Sequence, residues 1–254
     1  MLTFSNTTTA GVAGPNATQQ PATVSGANPF TAFIWIPTAR NMILAGTGNI
    51  PPKAYEAART ATTCYYRGLS EHLRIQTSSG APWIWRRICF KSKDPLMYTP
   101  NVNDTGTYRT YLETSNGYQR LFQNITQNNT NQTYNYIMGQ LFKGTVGIDF
   151  VDFTLAHVDT RVVDLAYDKT TRVSSGNQSG VLREYKRWYP MNKNLVYNDD
   201  ESGSAGETAS WWSVQDKQGM GNYIVMDIFA PGTGTTSSDL LQVSANTTLY
   251  WHEK

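Results

Sequence analysis

Residues 83–90, Trp83-Ile84-Trp85-Arg86-Arg87-Ile88-Cys89-Phe90 (WIWRRICF), read as a β-strand with apolar residues on both sides. Strand alternation places Trp83, Trp85, Arg87 and Cys89 on one face and Ile84, Arg86, Ile88 and Phe90 on the other. An antiparallel strand open to water on one side has a polar face there, and this one has none. It therefore predicts a strand covered on both sides, by a sandwich core and by a second layer. A neighbouring subunit fits as that layer, because interface cores are rich in Trp and Arg. Trp83, Trp85, Arg86 and Arg87 are accordingly subunit-interface candidates, with Trp211 and Trp212 as further ones. Each buried arginine also predicts an anionic or carbonyl partner, since breaking a buried ion pair costs about 3–5 kcal/mol.

The surrounding composition agrees with a β protein. Aromatic residues make up 12% of the 254 residues and charged residues only 16%, with Thr, Asn, Ser and Gly filling the connections. This length is compatible with one β-rich domain over residues 1–254. The net charge of +2 is too small to identify a polyanion-binding protein by charge alone. Cys64 and Cys89, the two cysteines, lie in strand-like runs and read as packed thiols. No stretch approaches the roughly 20 apolar residues of a membrane span.

Residues 1–29 read as an extended arm or loop and FTAFIWIP (30–37) as the first clear strand. Further strands are predicted at 62–66, 73–77, 83–90, 146–155, 157–166, 181–189, 222–230 and 240–251. Short helices are predicted at 53–60, 118–124 and 134–142; in the last, Tyr134, Ile137, Met138 and Leu141 recur at helical spacing. Eight or more strands without βαβ alternation predict an all-β antiparallel sandwich of jelly-roll type, with long loops and one or two short helices.

The sequence contains no P-loop, no glycine-rich dinucleotide fingerprint, no H-E-x-x-H and no G-x-S-x-G, and its three histidines stand far apart. These absences argue against an enzyme, a metal site or a cofactor. Asp149, Asp152, Asp159 and Asp164 read as turn and surface residues, and Asp199-Asp200-Glu201 as a solvated loop or one docked on a basic neighbour. More informative is VLREYKRWYP (181–190), where Arg183, Tyr185, Arg187 and Tyr189 alternate along one strand face. Cations interleaved with flat rings suit single-stranded nucleic acid, since guanidinium groups meet phosphates and rings stack on unpaired bases. The same pattern also serves as a cross-strand ladder. The DNA-binding candidates are Arg183, Tyr185, Lys186 and Arg187, followed by Arg86, Arg87 and Lys91.

Several long collinear stretches carry a resemblance. CYYRGLSEHLRIQTSSGAPWIWRRICF (64–90), NGYQRLFQ (116–123), LFKGTVGIDFVDF (141–153), GVLREYKRWYPMNKNLVYNDDE (180–201), GMGNY (219–223) and LYWHEK (249–254) resemble the capsid proteins of genomoviruses. These are small circular single-stranded DNA viruses best known from fungi. The resemblance implies an eight-stranded jelly roll and self-assembly into a T=1 icosahedral shell of sixty copies around single-stranded DNA. It further implies a non-enzymatic protein located in the virion and, during assembly, in the host nucleus. Family members usually carry an Arg- and Lys-rich arm, and this sequence starts where that arm would end, so the arm is expected to be missing from it. A carbohydrate-binding β-sandwich of an extracellular protein is the alternative, consistent with surface aromatics and Asn-x-Ser/Thr sites.

Overall fold

The computed structural model describes residues 1–42, 57–104, 108–126, 132–202 and 206–253. Its strands in chain order are β1 (Thr3–Thr7), β2 (Ala13–Thr18), β3 (Ala22–Ser25), β4 (Thr31–Trp35), β5 (Thr63–Thr77), β6 (Trp83–Ser92), β7 (Glu113–Thr114), β8 (Gly117–Tyr118), β9 (Arg120–Asn124), β10 (Asp164–Val173), β11 (Leu182–Val196), β12 (Asp200–Ser202), β13 (Gly206–Thr208), β14 (Asn222–Pro231) and β15 (Leu240–Glu253). One helix, α1, spans Gln132–Leu141.

Two sheets face each other, ordered β10-β6-β14-β4-β9-β1-β2 and β11-β5-β15-β3. Eight of these strands form a jelly roll: β3, β4, β5, β6, β10, β11, β14 and β15. Counted first to eighth, they pair first with eighth, second with seventh, third with sixth and fourth with fifth, all antiparallel. Third-to-eighth and fourth-to-seventh pairings complete the two four-strand layers. This is a hairpin ribbon wrapped on itself, the jelly-roll arrangement expected from the sequence.

Period-two patterning fixes which way each strand faces. In β5, Leu69, Glu71, Leu73 and Ile75 are buried, while His72 and Arg74 point to solvent and Ser70 and Gln76 are part-exposed. The sandwich interior holds Trp35, Cys89, Leu121, Tyr189 and Val225 in one cluster and Phe33, Trp83, Trp85, Phe122 and Phe229 in another. The other face of the larger sheet is covered too. Ile34, Ile88, Phe90, Ile224, Met226 and Ile228 pack against Ile137, Met138 and Leu141 of α1 and against Phe142, Phe153 and Val163.

Several local expectations change. Residues 1–29 contribute β1, β2 and β3 rather than only an arm, with β1 parallel to β9 and antiparallel to β2. The helix predicted at 118–124 is strand β9, whose five residues are all buried between β4 and β1. The strands predicted at 146–155 and 157–166 give way to a turn-rich loop, and the regular strand begins only at Asp164. The strands predicted separately at 62–66 and 73–77 are one, because β5 runs through Gly68 with shifts in its partners' registers nearby. Half of the helix expected at 53–60, residues 53–56, lies outside the described residues, and residues 57–60 are turn, bend and irregular chain. The expected helix at 134–142 is α1, and Asp104 caps it by accepting from the Gln132 and Thr133 amides at 2.8 and 2.9 Å.

Candidate nucleic-acid interface

The two arginines of WIWRRICF are separated by the pleat and each is fully engaged within the chain. Arg87 points into the sandwich, where its Nε and Nη2 donate to Asp227 at 2.7 and 2.8 Å. Its Nη1 donates to Glu71 and to the Tyr189 hydroxyl. Arg120 closes the network by donating to Glu71 at 2.9 Å and to Asp227 at 2.9 Å. Trp85 and Thr247 supply one further donor each, to Asp227 and Glu71. Two cations and two carboxylates thus lie buried together, joining β5 of the smaller sheet to β6, β9 and β14 of the larger. Burial pushes the Asp227 carboxyl upward, and Arg87 and then Arg120 more than offset it, holding the group below its usual range.

Arg86 points the opposite way, beneath the loop layer. It makes a two-point bond to Asp168 at 2.9 and 2.6 Å and donates to the carbonyls of Phe153 and Ala156 at 2.8 and 2.7 Å. Lys91 pairs with Asp164 at 2.6 Å.

These placements correct four subunit-interface candidates and three DNA candidates. Trp83, Trp85, Arg86 and Arg87 are 0–5% exposed within one chain, covered by the sandwich core and by the chain's own α1 and loops. A second subunit has no surface to meet there. Arg86, Arg87 and Lys91 have intramolecular carboxylates and are buried away from any phosphate. Trp211 and Trp212 are different: each is half-buried, stacked on Tyr111 at 4.2 Å and on Tyr98 at 4.1 Å, with surface left over.

The alternating segment at 181–190 becomes β11, an edge strand of the smaller sheet. Its Arg183/Tyr185/Arg187/Tyr189 face turns inward, toward the open side of the sandwich. Tyr189 is buried beside Arg87, and Tyr185 packs on Trp85 with centroids 5.3 Å apart. Across the opening stands β10, the edge strand of the larger sheet. Tyr167 meets Tyr189 edge-on at 5.0 Å. Lys169 and Thr171 sit opposite Arg87 and Trp85 on β6, so they share that inward face.

The two edge strands therefore line a seam carrying Lys169, Arg183 and Arg187 with Tyr167 and Tyr185. At one end of this opening Asp164 of β10 pairs with Lys91 and with Lys193 of β11 at 2.6 and 3.6 Å, while the inward positions of β10 from Tyr167 to Thr171 and of β11 from Arg183 to Tyr189 carry no acidic residue. Lys169 and Arg183 are exposed and Arg187 part-exposed; Arg187 lies over the Tyr185 ring at 5.4 Å. Among the described residues, none of the three cations forms a carboxylate ion pair. From Arg183 to Arg187 the strand covers roughly 14 Å at ~3.4 Å per residue. Lys186 belongs to the other side of β11, beside Trp188 and away from this trio.

Sequence reasoning missed Arg59 and Asp199 as a pair. Arg59 is fully buried, with a two-point bond to Asp199 at 2.6 and 2.5 Å and its guanidinium 3.8 Å from the Tyr197 ring. The acidic run at 199–201 had suggested docking on a basic neighbour without identifying it. Of the four aspartates at 149–164, Asp149 and Asp152 bind local backbone amides, Asp159 binds Arg161 and Asp164 binds Lys91. Among the described residues, no three His, Cys, Asp or Glu side chains are grouped to hold a metal ion.

No family model and no curated protein matches this chain. Among solved structures, the cryo-EM atomic structure of Broad Bean Stain Virus aligns with 92% of this chain and 91% of that chain, at 7% identity and a TM-score of 0.26. A superposition so loose carries no argument about function.

Proposed function

We propose that this protein is a viral capsid protein that self-assembles into a small icosahedral shell and receives single-stranded DNA along the β10/β11 seam. The observation that carries the reading is the eight-strand jelly roll found beneath a sequence that resembles genomovirus capsid proteins in several collinear stretches. Jelly rolls also serve lectins and cupins, so the fold alone does not choose a function. The seam favours a polyanion. It offers cations that form no carboxylate ion pair among the described residues, beside aromatic rings at the boundary between the two sheets. In this reading the T=1 geometry of sixty copies, the virion and nuclear locations and the absence of catalysis follow the resemblance. Trp211 and Trp212 remain subunit-contact candidates through their uncovered surfaces.

The test is assembly. Purified protein taken through assembly conditions is examined by negative-stain microscopy, and recovered particles are treated with nuclease. Uniform small shells holding protected single-stranded DNA are expected. Protein that stays monomeric and protects no DNA overturns the proposal.

A further inference from the structure

The loop over residues 144–155 presents aliphatic side chains to water in a fixed arrangement. Val146, Ile148, Val151 and Leu155 are 54, 84, 84 and 78% exposed. Their backbone is held by bonds from Gly147 to the Phe150 carbonyl at 2.7 Å, from Asp149 to the Thr145 carbonyl at 2.9 Å and from Ala156 to the Asp152 carbonyl at 3.0 Å. Beneath them, the Phe142, Phe150 and Phe153 rings lie 5.4–6.0 Å apart and anchor the loop to the larger sheet. Clustered exposed apolar groups mark interaction surfaces, and preorganisation lowers the entropic cost of using them.

A complementary surface lies on the outer face of the smaller sheet. A depression of about 400 Å³ there is lined by Arg67, Ser70, Trp188, Tyr250, Trp251 and His252. Trp188 and Tyr250 are each 49% exposed, with ring centroids 5.7 Å apart. Gly68 lets the Trp188 ring approach the sheet, since a Cβ there would stand 2.6 Å from the indole. Charge matches as well as shape. The loop contains Asp149 and Asp152 and no Lys or Arg, whereas the receiving face presents Arg67, Arg74 and Lys186. Among the described residues the single carboxylate on that face, Glu184, faces His72 at 3.4 Å.

We propose that the 144–155 loop of one copy seats its aliphatic tip in the Trp188/Tyr250 depression of a second copy. One chain cannot make the contact with itself, because the loop covers the outer face of one sheet and the depression lies on the outer face of the other. The resulting contact is head-to-tail, the type that closes into a ring or shell under rotational symmetry. The inference deepens the self-assembly reading and rests on it.

Two variants of the full chain, I148C carrying a tag and S70C without one, are mixed before assembly and mildly oxidised afterwards. Cys64 and Cys89 are fully buried and contribute no background. A disulfide-linked band containing one tagged and one untagged chain is expected in assembled particles, and none when S175C replaces S70C. Assembled particles with no such band, or with equal bands from both pairs, overturn the contact while leaving self-assembly intact. If the wild-type chain forms no particles, self-assembly itself fails and this contact with it. An I148D/V151D variant supplies an independent arm: loss of particles with an unchanged thermal melt is expected, and normal particle yield overturns the proposal.

Discussion

Arg87 and Asp227 sit directly opposite each other on β6 and β14 and form a two-point ion pair inside the sandwich, at 2.7 and 2.8 Å. The pair is not isolated, because Glu71 and Arg120 complete a buried four-charge set whose formal charge is zero. Removing one member leaves an uncompensated charge in a low-dielectric interior. Asp227→Asn keeps the shape and leaves two guanidinium groups facing one carboxylate. Chemical denaturation should show a loss of about 3–5 kcal/mol. A loss below about 1 kcal/mol, the range of exposed ion pairs, would mean that water reaches the network.

The same pair sets an acid limit. The folded-state pKa of Asp227 lies below the unfolded value of about 3.9, so its contribution is complete above about pH 4 and is lost as pH falls through the folded pKa. Melting temperatures of wild type and Asp227→Asn, measured from pH 6 down to pH 2, should differ by a constant amount at the upper end. The gap should narrow below pH 4. A gap that stays constant to pH 2 would show that another group controls acid unfolding.

How much of this was legible in the sequence differs by interaction range. WIWRRICF announced covering on both faces because alternation is local, and each arginine announced a partner because a buried charge requires one. What covers the outer face was not legible. Another subunit and the chain's own α1 make the same demand on the strand, and only the long-range path of residues 93–163 decides. At 118–124 a short apolar run fits strand and helix equally, and pairing with β4 and β1 settled it. The Arg/Tyr alternation of β11 gave the cations and rings but not their inward direction. One signal was available and unused: Asp227 is the only charge within an otherwise buried run of β14, and it marks the network's second carboxylate.

Arg86 should be read out in the loop layer rather than in the core. It donates to the carbonyls of Phe153 and Ala156, so it ties the 144–160 loop to β6. Arg86→Lys keeps the charge but loses the fork that reaches Asp168 and both carbonyls. A destabilisation of about 1.5–3 kcal/mol is expected. Hydrogen exchange should rise first at the amides of residues 147–156. Uniform acceleration across both sheets would instead assign Arg86 to the global core.

The thiols should be inert until the protein unfolds. Cys64 and Cys89 are 0% exposed, and burial pushes both thiols up to about 12. At pH 8 neither should react with a thiol reagent in the native protein, and both should react in denaturant. Fast labelling of either in the native state would contradict the packing of β5 or β6.

The seam makes a quantitative prediction about salt. Each phosphate neutralised on a single strand contributes about 0.7 to the slope of log affinity against log salt, so removing three contacts should lower that slope by about 2. Lys169→Ala, Arg183→Ala and Arg187→Ala combined should have this effect on binding of a fluorescent oligothymidine by unassembled protein. The three side chains are exposed or part-exposed at the sheet edges and lack ion-pair partners among the described residues, so their loss should leave the melt near wild type. Lys186→Ala provides the contrast, because its side chain leaves β11 on the opposite face and should not alter the slope. An equal effect from Lys186 would indicate diffuse charge attraction in place of a seam. No effect from the triple variant would remove β10 and β11 from the DNA-binding surface altogether.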